Sequence, residues 1–133
     1  MEENLKQLLL KDLCARLPYG VKVIYSNIIM EIFVISTFLN NTCCLKWDSH
    51  KGYYNQTNAN IGKFMPYLRL MSSMTEKERK EYEHIAHGIE VENGVRIPNV
   101  HQIDWLNAHH FDYRGLIEKN LALEAPEGIY KIE

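Results

Sequence analysis

The apolar run IIMEIFVISTFL, residues 28 to 39, constrains the fold of this chain more than any other feature. Its β-branched and aromatic residues favour a strand. Both alternating sets of side chains are apolar, with Ile28, Met30, Ile32 and Val34 on one side and Ile29, Phe33 and Ile35 on the other. Such a strand needs cover on both faces. We therefore expect a helix on one face and, on the other, further strands or a second subunit in a homodimer.

The setting expected for the chain is cytoplasmic. The apolar run holds twelve residues and includes Glu31, so it is too short to cross a bilayer. The beginning, MEENLKQLLLKDL, is acidic and unlike the basic start of a signal peptide. The three cysteines, Cys14, Cys43 and Cys44, are odd in number and lack CxxC spacing, so neither a disulfide framework nor a zinc site is indicated.

The order of the predicted elements indicates one α+β domain over residues 1–133. Leucines at helical spacing predict a helix over 3–16 that ends before Pro18. Segments 21–25, 28–39 and 42–47 then predict an antiparallel β-meander. We interpret 48–65 as a long loop with at most one short strand, and 66–70 as a further strand.

The C-terminal half carries sharper local signals. Thr75 and Glu78 form a capping box before a helix predicted over 76–87. Asn93-Gly94 predicts the turn of a hairpin over 89–97. A short helix is expected over 103–110, a left-handed turn at Lys119-Asn120 and a short strand over 121–124.

The net charge of −2 gives no global reason to bind nucleic acid, but residues 46–69 carry one Asp against four Lys or Arg. Basic and aromatic side chains alternate there, as in surfaces that stack bases and pair with phosphates. The candidate binding residues in this basic-aromatic segment are Trp47, Lys51, Tyr53, Tyr54, Lys63 and Arg69. The alternative is that the rings form the loop's own small core.

The second candidate surface is DWLNAHHFDYRG, residues 104–115. Its candidate binding residues are Trp105, His109, His110, Asp112, Tyr113 and Arg114. On a helix, Trp105 and both histidines share one apolar arc. We favour packing and recognition, with the ring nitrogens bonded to backbone carbonyls or to Asp112. The alternative is a metal site or general base, although adjacent helical histidines point about 100° apart and seldom bind one ion.

Motifs of nucleophilic and nucleotide-dependent catalysis are missing from the sequence. It contains no GxSxG, GxxxxGK[ST], HExxH or GxGxxG pattern. The HxxH pair of His84 and His87 lies at i, i+3 on one helix face and could chelate a metal, but it is a weak signal by itself. We therefore assign no catalytic residue, no metal ligand and no cofactor.

Three segments carry a resemblance to a protein family: LLLKDLCARLPYGVKV (8–23), PYLRLMSSMTEKER (66–79) and IDWLNAHHFDYRGLIEKNLALEAPEG (103–128). Together they resemble a family of small proteins, without an assigned activity, from gut anaerobes and from their phages and mobile elements. The family often has Gly where this chain has Asn120, which also tolerates a left-handed turn. The resemblance implies a cytoplasmic protein of phage or mobile-element type and carries over no site.

The function expected from these observations is that of a non-enzymatic accessory binding protein that self-associates. Its partner would be a host protein or a nucleotide ligand. Two alternatives stay open: nucleic-acid or nucleotide binding through residues 46–69, and a metal-dependent hydrolase that uses His109 and His110.

Overall fold

The structure, a computed structural model, describes residues 2–36, 41–48, 54–85, 89–90 and 96–130. Its helices are α1 (Glu3–Arg16), α2 (Glu76–His84) and α3 (Val100–Ala108). The strands are β1 (Lys22–Tyr25), β2 (Ile28–Ser36), β3 (Thr42–Asp48), β4 (Tyr54–Asn60), β5 (Met65–Leu68), β6 (Ile89–Glu90), β7 (Arg96–Ile97) and β8 (Leu123–Glu124). The predicted α+β fold, with its N-terminal helix and antiparallel meander, is confirmed.

The described strands form a six-stranded sheet in the order β4-β3-β2-β1-β5-β8, with β6 and β7 as a separate antiparallel pair. Neighbours in the large sheet are antiparallel except β5 and β8, which run parallel. The predicted hairpin is therefore present in its strands, while its expected turn at Asn93-Gly94 lies outside the described residues.

Strand β4 occupies much of the segment that we interpreted as a loop. It pairs with β3 over its whole length, from Thr42 opposite Asn60 to Asp48 opposite Tyr54. The interpretation of 48–65 allowed for one short strand, and the strand that is present there is seven residues long. Its place and length were missed because the segment YNQTNAN is almost entirely polar and lacks the apolar alternation that marks a half-buried strand. Its strand conformation comes from pairing with β3.

A register shift between Ile32 and Val34 changes which side chains of β2 face the core. Ile32 is 1% exposed and Ile35 packs against the core, whereas Val34 is 44% exposed. The predicted alternation placed Ile32 and Val34 on the same face of β2, which is wrong for Val34. The bulge adds one residue to the strand, so the side chains after Ile32 point to the faces opposite to those predicted. Adjacent Cys43 and Cys44 of β3 point to opposite faces of the sheet, with Cys43 fully buried.

The core lies between α1 and one face of the sheet. Leu9 and Leu13 of α1 are fully buried against Val23, Ile32 and Leu45. This is the helical cover predicted for one face of β2. The opposite, outer face of β2 exposes Ile29, and its Glu31 lies between two lysines, 3.3 Å from Lys22 Nζ and 3.5 Å from Lys46 Nζ.

The boundaries of α2 and α3 follow their caps. Thr75 and Glu78 form the predicted capping box, and α2 ends at His84, before the extended Ile85. Helix α3 begins three residues earlier than predicted, because Asn99 and Gln102 form a second capping box that the sequence analysis missed. It also ends at Ala108 and not at His110, so both predicted ends of this helix were wrong.

The last described segment returns to the sheet. The predicted strand over 121–124 is present as the two-residue β8, which lies beside β5. Asn120 has φ of 61°, the left-handed conformation expected for that turn. Within the described ranges, no helix has the length and apolar character that crossing a membrane requires.

Candidate binding site

Arg69, which the sequence analysis grouped with the basic-aromatic segment, lies instead beside the C-terminal candidate residues. It follows β5, and its backbone N–H donates to the His110 carbonyl at 2.8 Å. The Asp112 N–H in turn donates to the Arg69 carbonyl at 2.8 Å. Through these two bonds the backbone of Arg69 runs alongside residues 110–112. Arg69 therefore belongs with the C-terminal candidate residues and not with the basic-aromatic segment.

The Arg69 side chain holds this region to α2. Its two terminal nitrogens each donate to a Glu78 carboxylate oxygen at 2.7 Å, and Nη1 also lies 3.3 Å from the His109 carbonyl. The guanidinium stacks over the Phe111 ring at 4.2 Å from its centre. Burial acts to raise the pKa of Glu78, but hydrogen bonds from Arg69 and Thr75 outweigh it and hold the pKa at about 2. The pair is therefore ionised at neutral pH.

The two adjacent histidines make separate contacts. His109 stacks on Trp105 with ring centres 4.0 Å apart, and its Nδ1 lies 2.8 Å from the Trp105 carbonyl. Because a carbonyl only accepts, Nδ1 carries the hydrogen there, as the packing interpretation expected. Trp105 also contacts Tyr82 of α2, at 5.5 Å between ring centres. His109 thus lies in an aromatic contact between α2 and α3.

His110 has left the helix, with φ of 65°, and stacks on Tyr130 with ring centres 3.7 Å apart. The predicted shared helical face for both histidines was therefore wrong. The buried Nδ1 of His110 has no hydrogen-bond partner among the described residues. Asp112 does not supply one, since its two oxygens accept the Leu116 and Ile117 N–H groups at 2.8 and 2.9 Å.

The His110 imidazole is neutral near pH 7. Burial lowers its pKa to about 4, and the positive charges of Arg16, Arg69 and Lys22 act in the same direction, as does a protonated His109. Among the described residues, no group of three or more His, Cys, Asp or Glu side chains could hold a metal ion. The metal hypothesis for His109 and His110 gains no supporting contact there.

Tyr130 holds the C-terminal segment to the neighbouring strands β1 and β5. Its hydroxyl donates to the Tyr67 carbonyl at 2.7 Å and accepts the Lys22 N–H at 2.8 Å. Burial raises the pKa of this phenol, so the hydroxyl keeps its proton. Sequence reasoning missed Tyr130, because a tyrosine three residues from the end of the sequence carries no local signal of such long-range bonds.

Two depressions meet at Arg69 and Tyr130. The first, here called the charged pocket, has a volume of about 230 Å³ and is lined in addition by Lys77, Glu81, His109 and His110. The second, here called the apolar pocket, has a volume of about 240 Å³. Its apolar lining consists of Leu70, Ala125, Pro126 and Ile129, and Ser73, Glu124 and Glu127 line it as well. Arg69 and Tyr130 line both depressions, so the two lie side by side and are taken together as the candidate site.

A buried ion pair, which was not predicted from the sequence, holds α1 against the segment that contains Tyr113 and Arg114. Asp12 and Arg16 of α1 are both fully buried and joined by bonds of 2.7 and 3.1 Å. Arg16 also donates to the Phe111 carbonyl at 2.7 Å, and Arg114 Nε donates to Asp12 at 3.1 Å. A signal was present, because Asp12 and Arg16 lie at i, i+4 on the same helical arc as Leu5, Leu9 and Leu13.

The remaining residues of the basic-aromatic segment do not converge. Trp47 is half-buried and packs against the core, and Lys46 pairs with Glu31. Lys63 is exposed in the turn after β4, in a separate depression with Lys6. Lys51 and Tyr53 lie outside the described residues, and of Tyr54 only the strand position is described. The residues that the structure does describe are dispersed over the sheet.

The comparisons with known proteins add no relative to this description. No protein-family model matches the sequence, and no curated protein and no solved structure is significantly similar to it.

Proposed function

We propose that the chain is a non-catalytic binding protein that holds a segment of a partner protein in the charged and apolar pockets. The observation that carries this proposal is the junction of the two pockets at Arg69 and Tyr130. An amphipathic peptide would place an apolar side chain in one pocket and a polar or charged side chain in the other. Interfaces of this kind derive much of their affinity from a few anchors in pockets.

The size of the pockets favours side chains of a protein over a small-molecule ligand. Each volume is below the roughly 300–1,000 Å³ that is usual for small-molecule sites. The walls are firmly held, since Arg69 is bonded to Glu78 and Tyr130 to the backbone of Tyr67 and Lys22. Preformed walls reduce the entropy lost on binding and so favour affinity.

The chemistry of the buried groups also supports a role in binding. A general base works best when its pKa is near the working pH, and that of His110 is about 4. Burial raises the pKa of the Cys43 thiol to about 11, which makes it a poor nucleophile at neutral pH. Two of the charged groups that line the charged pocket, Arg69 and Glu78, neutralise each other.

The resemblance to small proteins of gut anaerobes, their phages and their mobile elements supports the kind of partner proposed. Small accessory proteins of phages commonly act by binding a host protein, and this step is an analogy with that class. The proposed setting is accordingly the host cytoplasm. Nucleic-acid binding through 46–69, nucleotide binding and metal-dependent hydrolysis stay predictions without a supporting contact in the described residues.

The proposal is tested with a random-peptide library displayed against the purified protein. Peptides that are selected are synthesised, and their dissociation constants are measured by calorimetry with the wild type and with two pocket variants. Ser73→Trp fills the apolar pocket, and Lys77→Glu reverses a charge at the charged pocket. We expect Ser73→Trp to weaken binding at least about tenfold, the effect of losing one good anchor.

The matched control is Lys63→Glu, which makes the same charge change as Lys77→Glu at an exposed position in a different depression. It should leave the affinity unchanged. Selected peptides that bind Ser73→Trp as tightly as the wild type, or that lose affinity in Lys63→Glu to the same extent as in Lys77→Glu, would show that the pockets are not the recognition surface.

A further inference from the structure

Strand β4 is the outermost strand at one end of the large sheet, and it carries none of the usual protection of an edge. Its sequence, YNQTNAN, contains no charged residue, no proline and no glycine. Its pairing with β3 runs without a register shift, in contrast to the bulge in β2. Natural sheets normally block such an edge with charges, proline or a bulge, because its free N–H and C=O groups are a template for another strand.

The described part of the chain leaves the outer edge of β4 open. The strand pairs on one side with β3 and has no described strand on the other. Apart from the turn in which the Lys63 N–H donates to the Asn60 carbonyl, no described segment outside the sheet forms a backbone hydrogen bond with β4. Within the described part of the chain, the outward-pointing N–H and C=O groups of this seven-residue strand therefore have no strand beside them.

We infer that β4 pairs antiparallel with β4 of a second copy of this chain, so that two six-stranded sheets continue into one. A second copy suits this edge better than a charged peptide would. The uncharged strand causes no repulsion with itself, and a two-fold axis lets one surface serve both partners. This inference is independent of the proposed peptide site, which lies at the other end of the sheet, beside β5 and β8.

The alternation of side chains along β4 fixes how the two copies meet. Ala59 and Thr57 pair with the buried Cys43 and Leu45 and so lie on the core face. The exposed Gln56 and Asn58 lie on the outer face. A two-fold axis perpendicular to the sheet keeps each face on its own side, so residues opposite each other must share a face. The axis then lies midway between one residue of β4 and the same residue of the other copy.

With the axis at Thr57, the middle of the strand, Gln56 of one copy is opposite Asn58 of the other. Each amide carries both donors and an acceptor, so the two side chains can hydrogen-bond across the junction. The two-fold axis generates the same contact a second time, between Asn58 of the first copy and Gln56 of the second. Two amide contacts therefore lie on the outer face of the joined sheet.

The test uses matched charge variants at these positions. Gln56→Lys/Asn58→Lys places like charges directly opposite each other, and Gln56→Lys/Asn58→Glu places opposite charges there. Both replace the Asn58 amide whose oxygen accepts from the Cys44 thiol at 2.8 Å. Sedimentation equilibrium should show a dimer for the wild type, a dissociation constant raised at least about tenfold in the Lys/Lys variant, and a dimer again in the Lys/Glu variant. Circular dichroism should be the same for all three.

The control Ile29→Lys changes the exposed apolar face of β2, where the sequence analysis expected the subunit contact. It should leave the dimer intact. A wild type that stays monomeric at the highest attainable concentration, a Lys/Lys variant that dimerises as well as the wild type, a Lys/Glu variant that stays monomeric, or an Ile29→Lys variant that alone abolishes the dimer would each overturn the inference.

Discussion

Glu78 connects two parts of the structure with one carboxylate. Its Oε1 accepts the Thr75 N–H at 3.0 Å, which caps α2, and it also accepts a hydrogen from Arg69 at 2.7 Å. Helix α2 is therefore tied at its first turn to residues 109–112, through the backbone bonds of Arg69. Glu78 therefore holds the Arg69 side chain, which lines both pockets, to α2.

We expect the charge of Glu78 to make the folded protein more stable as the pH rises. Its folded pKa of about 2 is below the ordinary value of 4.5, so the unfolded chain binds more protons in that interval. The contribution of the Glu78 charge to the free energy of unfolding is complete above about pH 5 and is lost as the pH falls toward 2. Urea unfolding at a series of pH values should show this slope in the wild type and a smaller one in Glu78→Gln.

The control for this prediction is Glu76→Gln, in the same first turn of α2 but exposed. Its slope should match that of the wild type. Equal slopes for Glu78→Gln and the wild type would contradict the assignment of the lowered pKa to Glu78.

At the scale of the element, β2 and α3 show what sequence patterns predict correctly and what they miss. The type of each element was predicted correctly because β-branched residues and helical spacing are local signals. The bulge in β2 was missed because the side chains are apolar at both odd and even positions of this run. The sequence pattern therefore does not show where the side chains change faces. The early start of α3 was overlooked although Asn99 and Gln102 were visible in the sequence as a capping box.

The bulge leads to a comparison of two neighbouring substitutions in β2. Ile35→Thr should lower the free energy of unfolding by about 1–3 kcal/mol, because Ile35 packs against the core. Val34→Thr should change it by less than about 0.5 kcal/mol, since Val34 is 44% exposed. Urea unfolding of both variants measures the difference, and the reverse order would mean that β2 continues without the bulge.

At the scale of the whole molecule, the buried pair of Asp12 and Arg16 joins the first helix to the last third of the chain. Arg16 bonds to the Phe111 carbonyl, and Asp12 receives a bond from Arg114. Both charges are fully buried, which is costly unless they are paired. The arrangement therefore favours one specific docking of α1 against residues 111–114.

We expect Arg16→Met to lower the free energy of unfolding by about 3–5 kcal/mol, because it leaves Asp12 buried with only Arg114 as a cation. The double variant Asp12→Leu/Arg16→Met should regain part of this loss, since it removes both buried charges. Urea unfolding of both variants measures which of the two has the larger free energy of unfolding. A double variant less stable than Arg16→Met would mean that the pair contributes more than its desolvation costs.

The sequence by itself determined the class of fold, the identity of most helices and strands, and the capping of α2, because these depend on residues close together in the chain. It also singled out Arg69, His109 and His110, three of the residues that line the candidate site. It did not reveal that they meet, nor that Asp12, Arg16 and Tyr130 hold them in place.

Only the tertiary structure decided those contacts, because hydrogen bonds such as that from Arg16 to Phe111 join residues far apart in sequence and leave no periodic pattern. The same reason explains β4, a polar segment that becomes a strand through its pairing with β3. Local preference sets what each segment can form, whereas burial and long-range pairing decide which surfaces come together.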